Sequence, residues 1–121
     1  YLNRAARVSE KLDVKAMRMA STAFLGEHDF TSFMSTGADT VSAVRNVKDV
    51  RVVRSGGLVR IFVTANGFLY NMVRLIAGVL VRAGQGKIDK AGVEKLIALK
   101  NKHAVREVMP AEGLYLVSVK Y

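Results

Sequence analysis

The chain has 121 residues, half of them apolar, and no cysteine. That suits one domain with a modest core; it excludes general disorder, a disulfide scaffold, thiol catalysis and cysteine-based zinc sites. Lys and Arg number 19 against 10 Asp and Glu, a net charge of +9, which calls for an anionic partner: nucleic acid first, an anionic membrane surface second, with a generic basic protein as the bland alternative.

In chain order, residues 1–12 carry several charges and no clear period, and read as a linker or truncated edge. The chain opens on Tyr1 without a signal-peptide pattern and is expected to be a piece of something longer. Asp13 is a helix cap, and Met17, Ala20, Phe24 and Leu25 follow it at helical spacing until Gly26. Residues 27–43 read as a loop pinned to a core by Phe30, Phe33 and Met34.

Residues 44–54 form a strand, Ser55-Gly56-Gly57 a hairpin turn, and residues 58–65 the partner strand. Val59, Ile61, Val63 and Ala65 line one face of it; Phe62 makes the other face partly apolar, so a sheet covered on both sides is expected. After Gly67 comes a helix apolar nearly all round, on Leu69, Met72, Val73, Ile76, Leu80 and Ala83, with Leu75, Val79 and Val81 on other sides. The apolar run, residues 67–83, is too short for a membrane span, which takes about 20 residues, and is broken by Arg74.

Gly84-Gln85-Gly86 stops that helix, and Asp89 caps a short one on Val93, Leu96, Ile97 and Lys100. Residues 101–112 are a loop holding Pro110, and residues 114–121 alternate as a closing strand. The order α-β-β-α-α-β predicts an α+β domain with a mainly antiparallel sheet packed with helices.

Four groups of residues have chemical potential. Arg74 sits within an apolar helical pattern; a guanidinium keeps its charge, so it either snorkels to water, forms a structural ion pair, or meets a catalytic carboxylate or phosphate. His28 beside Asp29 suggests acid–base work, against a turn in which Asp29 holds nearby amides. Gly84-Gln85-Gly86-Lys87 has a phosphate-loop flavour without P-loop spacing. Arg45, Lys48, Arg51, Arg54 and Arg60 make the hairpin basic, but period 2 divides them between faces. His28 and His103 stand far apart without a carboxylate pair, so no metal site is expected.

Three strings stand out: Leu25-Gly26-Glu27-His28-Asp29-Phe30-Thr31-Ser32-Phe33, Asn66-Gly67-Phe68-Leu69-Tyr70-Asn71-Met72-Val73-Arg74, and Pro110-Ala111-Glu112-Gly113-Leu114-Tyr115-Leu116. In this order they resemble the C-terminal half of the tRNA pseudouridine synthase A (TruA) family. The resemblance implies that residues 13–121 are the C-terminal α/β domain of such an enzyme, one half of the pseudouridine synthase fold. It implies isomerisation of uridine to pseudouridine in the tRNA anticodon stem-loop, without a cofactor, by a cytoplasmic homodimer. The family's essential aspartate belongs to an Arg-Thr-Asp type loop of the N-terminal half; none of Asp13, Asp29, Asp39, Asp49 and Asp89 lies in one.

By the same resemblance, Arg74 matches the basic residue that pairs with that aspartate, and Leu114 matches the apolar residue that packs on the target base. Arg45, Lys48, Arg51, Arg60 and Lys87 are the RNA-binding candidates. The alternatives are a non-catalytic RNA-binding module, which needs neither Arg74 nor Leu114 in these roles, and a structural or dimerisation fragment.

Overall fold

Asp13 starts the first helix as its position predicts: its side chain accepts from the Ala16 amide at 3.1 Å. In the computed structural model, which describes residues 2–8 (as backbone), 11–34, 42–69, 71–101 and 103–105, this helix α1 spans Val14–Ser21. Its last turn is closed by hydroxyls, Ser21 to the Arg18 carbonyl and Thr22 to the Met19 carbonyl, each at 2.7 Å. Such back-bonding competes with further α-helix, and the chain tightens into a 3-10 turn, Thr22–Phe24. The tighter turn changes the angular spacing. Phe24 stays fully buried while Leu25, expected on the same face, is 42% exposed.

Two stretches form strands that the sequence does not announce. Residues 1–12, expected as a linker or truncated edge, contain β1, Leu2–Val8. Residues 27–43, expected as a loop, open with the end of β2, Gly26–Asp29, and a 3-10 turn, Thr31–Phe33. Both strands are polar or short, so their period-2 signal is weak; pairing with distant partners decides them. The pinning of this region is as expected: Phe30, Phe33 and Met34 are buried. Phe33 meets Phe24 edge-on at 5.1 Å and Phe30 at 6.2 Å.

The hairpin follows its sequence closely, with β3 at Val44–Ser55 and β4 at Leu58–Ala65. Ser55 pairs with Leu58, so Gly56 and Gly57 are the turn. Gly56 has φ +61° while Gly57 is not in the positive region, the pattern of a type II′ turn. The sheet order is β1-β4-β3-β2, and every pairing is antiparallel. A bulge between Val47 and Asp49 makes Lys48 the extra residue. Below it, β2 pairs only with residues 44–47, so the rest of that β3 edge is open. Arg18 covers part of it, its Nε donating to the Val52 carbonyl at 3.0 Å.

One face of the sheet holds the core. Val59, Ile61, Val63 and Ala65 are all fully buried. The same core takes in α2, Met72–Gly84, buried at Met72, Val73, Leu75, Ile76, Val79, Leu80 and Val81 among others and in contact with α1 and β1. Each such large side chain is worth roughly 1.5–3 kcal/mol of burial. The other face is not covered as expected: Arg51, Val53 and Arg60 are exposed and Phe62 is only half-buried. Cationic side chains at alternate positions keep a second apolar layer off it.

Helix α2 returns towards the hairpin end of the sheet. The Asp13 amide donates to the Gly84 carbonyl at 3.0 Å, and the neighbouring Leu12 carbonyl accepts from Arg54, next to the hairpin turn. Gly86, with φ +76°, completes the stop. Asp89 then caps α3, Lys90–Leu99, accepting from the Gly92 amide at 2.9 Å. Val93, Leu96 and Ile97 face the core, but Lys100 is exposed and left-handed at the cap, beyond the helical face expected for it. The expected closing strand, residues 114–121, lies outside the described residues. Among the described residues no helix is long and apolar enough to cross a membrane. The architecture is α+β, as half of a pseudouridine synthase fold would be.

Gly84 is where α1 and α2 approach. A Cβ there would stand 2.9 Å from Leu12 Cβ and 3.0 Å from Met17 Cγ. Gly84→Ala is therefore expected to destabilise the chain by about 1–3 kcal/mol through overpacking, although alanine is the better helix former. A thermal melt reads this; a melting temperature at or above that of the parent would contradict the tight approach.

Candidate functional site

Arg74 belongs to the first turn of α2, not to its middle. The apolar pattern that suggests an earlier start includes Leu69, which is buried from the connecting segment, not from the helix. Asn71, at φ +63°, prevents the helix from starting sooner. Arg74 is exposed. It therefore needs no buried counter-charge, so the structural ion-pair explanation loses its motive, whereas a head group in water beside buried Val73 and Leu75 is what snorkelling describes. Among the described residues its side chain makes no hydrogen bond or ion pair. A cation in the first turn also opposes the helix dipole. Local stability thus gives no reason for an arginine here.

Arg45 comes to the same end of the sheet. It lies opposite His28 in the register and two residues before buried Val47, so it is on the helix-bearing face. It donates to the Ser42 and Val44 carbonyls, both at 2.8 Å. Its Nε stands 3.4 Å from where a Cβ on Gly67 would be, so the side chain runs along the connection between β4 and α2. Asn66 anchors that connection: its side chain accepts from the Asn46 amide at 2.9 Å and its own amide donates to the Asn46 carbonyl at 3.1 Å. Asn66 lies in the quoted motif, but its role depends on β3 and has no signal in spacing.

The other basic candidates do not join this end as one row. Lys48 is the exposed bulge residue. Arg51 and Arg60 are diagonal neighbours on the open face, with Arg51 Cζ 5.2 Å from the centre of the Phe62 ring. Arg54 turns to Leu12. Lys87 is exposed beyond α2, towards the hairpin end. Leu114 and Tyr70 lie outside the described residues.

The phosphate-loop flavour of Gly84-Gln85-Gly86-Lys87 does not translate into a cradle. The amides of Gln85, Gly86 and Lys87 donate to the carbonyls of Val81, Ala83 and Arg82, at 3.0, 3.0 and 2.9 Å. They close a helix end and are not offered to a ligand. Among the described residues no cluster of three or more His, Asp or Glu is disposed to hold a metal ion.

His28 and Asp29 are committed to the local turn. Asp29 Oδ1 accepts from the Thr31 amide at 3.0 Å and the Thr31 hydroxyl at 2.6 Å. His28 Nε2 donates to the Leu25 carbonyl at 2.7 Å, and its ring meets Phe30 edge-on at 5.7 Å. The Thr31 hydroxyl bond chiefly holds the Asp29 carboxyl below its ordinary value of 3.8; burial opposes this, and the Thr31 amide and Lys100 add to it. A carboxyl depressed in the folded chain contributes stability above its unfolded value and loses it as pH falls through the folded one. Asp29→Asn should thus be less stable than the parent near neutrality, with the gap closing below the ordinary value of 3.8. Urea midpoints across acid pH check this; a gap independent of pH would show that the charge contributes nothing.

Sequence comparison places these features in a family. The family described as tRNA pseudouridine synthase matches residues 20–121. The tRNA pseudouridine synthase A of Acetivibrio thermocellus is 41% identical over 119 residues, covering 98% of this chain and 49% of the relative. That of Ruminiclostridium cellulolyticum is 41% identical over 120 residues, with the same coverage of each. That of Clostridium acetobutylicum is 40% identical over 119 residues, again 98% and 49%. The chain thus spans about half the length of the curated relatives it matches. With one family matched from α1 onward and relatives near 40% identity along almost its whole length, the chain belongs to the tRNA pseudouridine synthase family.

Proposed function

We propose that this chain is the C-terminal half of a tRNA pseudouridine synthase that converts uridine to pseudouridine in the tRNA anticodon stem-loop. The observation that carries the reading is Arg74, an exposed cation with no hydrogen bond or ion pair among the described residues, in the first turn of a mostly buried helix. Its counterpart is an aspartate carried by the N-terminal half. A neighbouring guanidinium keeps that carboxylate ionised, and its planar donors orient it. The ionised carboxylate attacks or deprotonates at the ribosyl–uracil linkage. The bond from C1′ to N1 breaks, and the base detaches, rotates and rejoins through C5, which gives up its proton while N1 takes one up. The change is an isomerisation, so it needs no oxidant or reductant, and no cofactor is invoked.

Leu114 forms the apolar wall against the target base. Such a wall suits a uracil that has lost its stacking neighbours on leaving the helix. Arg45 lies at the Arg74 end and holds RNA phosphate beside the reacting nucleotide; Lys48, Arg51, Arg60 and Lys87 add dispersed phosphate contacts. The working enzyme is a cytoplasmic homodimer, each subunit joining this half to its N-terminal partner. The excess charge of +9 supports an RNA partner.

Two outcomes are expected. The 121-residue chain alone should not release tritium from tRNA labelled at uridine C5, because the nucleophile comes from the other half; turnover by the pure chain would refute this division of labour. In an enzyme completed with the N-terminal half, Arg74→Lys keeps the charge but loses the forked geometry. A misplaced reacting group costs on the order of a hundredfold in rate. Turnover should therefore fall by about that factor, and further for Arg74→Ala, with tRNA affinity and melting temperature nearly unchanged. A variant that only loses stability, with turnover intact, would make Arg74 a structural residue.

A further inference from the structure

The open face of the sheet carries an arrangement that the Arg74 site does not use. Arg51 on β3 stands directly opposite Phe62 on β4, and Val53 directly opposite Arg60. The four form a square, with the cations on one diagonal and the apolar residues on the other. Arg51, Val53 and Arg60 are exposed, Phe62 half-buried, and Val53 leaves 37% of its surface in water. Arg51 Cζ lies 5.2 Å from the Phe62 ring centre, so the guanidinium is held against the aromatic surface. On β1, Arg7 occupies the register position beside Arg60. Asp49 lies on the same face, towards the opposite end of the hairpin from the turn.

We infer that the Arg51–Phe62 and Val53–Arg60 pairs form a binding surface for an unpaired stretch of RNA, separate from the Arg74 end. The proposal rests on the reading that the partner is RNA, and it specifies which part of the RNA and where. A flat floor of Phe62, Val53 and a guanidinium suits the face of a base, since bases stack on aromatic rings and arginine planes alike. A duplex hides its base faces and offers mainly phosphate and sugar, for which exposed arginines would suffice without Phe62. Arg60 supplies the phosphate contact, and the Asp49 carboxylate repels the backbone at the far side. The strand thus leaves the platform towards Arg60 and β1.

The test uses the 121-residue chain, with a short fluorescent oligouridylate and an RNA hairpin duplex carrying the same number of phosphates. Phe62→Leu keeps an apolar side chain on the floor and removes the ring. It should weaken the single strand by about fivefold to a hundredfold and leave the duplex within about twofold. Arg51→Lys should weaken the single strand with little change in salt dependence; Arg60→Gln should lower the salt slope by about 0.7. If Phe62→Leu impairs folding, ultraviolet crosslinking of the parent chain to oligouridylate decides, with the adduct expected on Phe62. Equal loss for both RNAs, an unchanged single-strand affinity in Phe62→Leu, an adduct elsewhere, or no binding by the parent would overturn the proposal. Arg74 lies on a helix over the opposite face, so Arg74→Ala should leave oligouridylate affinity unchanged. The Arg74 role and this surface can therefore fail independently.

Discussion

The burial of α2 in the core that Val59, Ile61, Val63 and Ala65 share is the constraint on which the rest of the molecule depends. A helix apolar on nearly every side has to be enclosed. The sheet covers one side; α1, the aromatic turn region and neighbouring elements cover others. Close approach is part of that enclosure, and Gly84 is the point where α1 tolerates no side chain. Once the helix-bearing face is filled this way, charges have two outlets: the ends of the elements and the far face of the sheet. Arg74 and Lys87 take opposite ends of α2, whereas Arg51 and Arg60 take the far face.

This partition gives the arginines different chemical prospects. At the Arg74 end, a rigid helix fixes the backbone from which the guanidinium extends, and Asn66 ties the preceding connection to β3. A site held by such elements suits geometry-sensitive work, because small displacements are costly there. On the open face the cations stand on a flat sheet beside apolar residues, which suits broad contact with a polymer. The bulge at Lys48 separates the two regions, as it divides β3 into a part paired to β2 and a part whose edge Arg18 covers only at Val52.

The turn between β2 and β3 shows how motif residues can be structural. His28, Asp29 and Thr31 close hydrogen bonds within a few residues of one another, while Phe30 and Phe33 enter the core. The polar groups fix the backbone so that the aromatic residues arrive in register. A histidine beside an aspartate suggests catalysis in a string of letters; here both side chains are spent on backbone groups and a hydroxyl.

Much of the core was legible in the residues. The alternation of β4 specified its buried face, the helical spacing around Ile76 specified a central helix, and Asp13, Asp89 and the two glycines of the hairpin specified where elements begin or turn. These signals are local: capping needs three or four residues, and amphipathic period needs one element. The string ending at Arg74 also identified the family that the comparison places the chain in. What local pattern did not contain was pairing. Strands β1 and β2 exist because β4 and β3 offer them hydrogen-bonding edges, and their own residues are too polar or too few to declare it. Nor did the spacing reveal that Leu69 is buried from outside the helix, which moves Arg74 from a helix centre to an exposed first turn. The division of the β3 arginines, Arg45 on the helix-bearing face and Arg51 on the open one, follows from a one-residue bulge, because a single extra residue in a strand reverses which side every later position occupies. Sequence alone determined which residues seek the interior; the tertiary structure decided which charges share a surface, since that depends on register between segments distant in the chain.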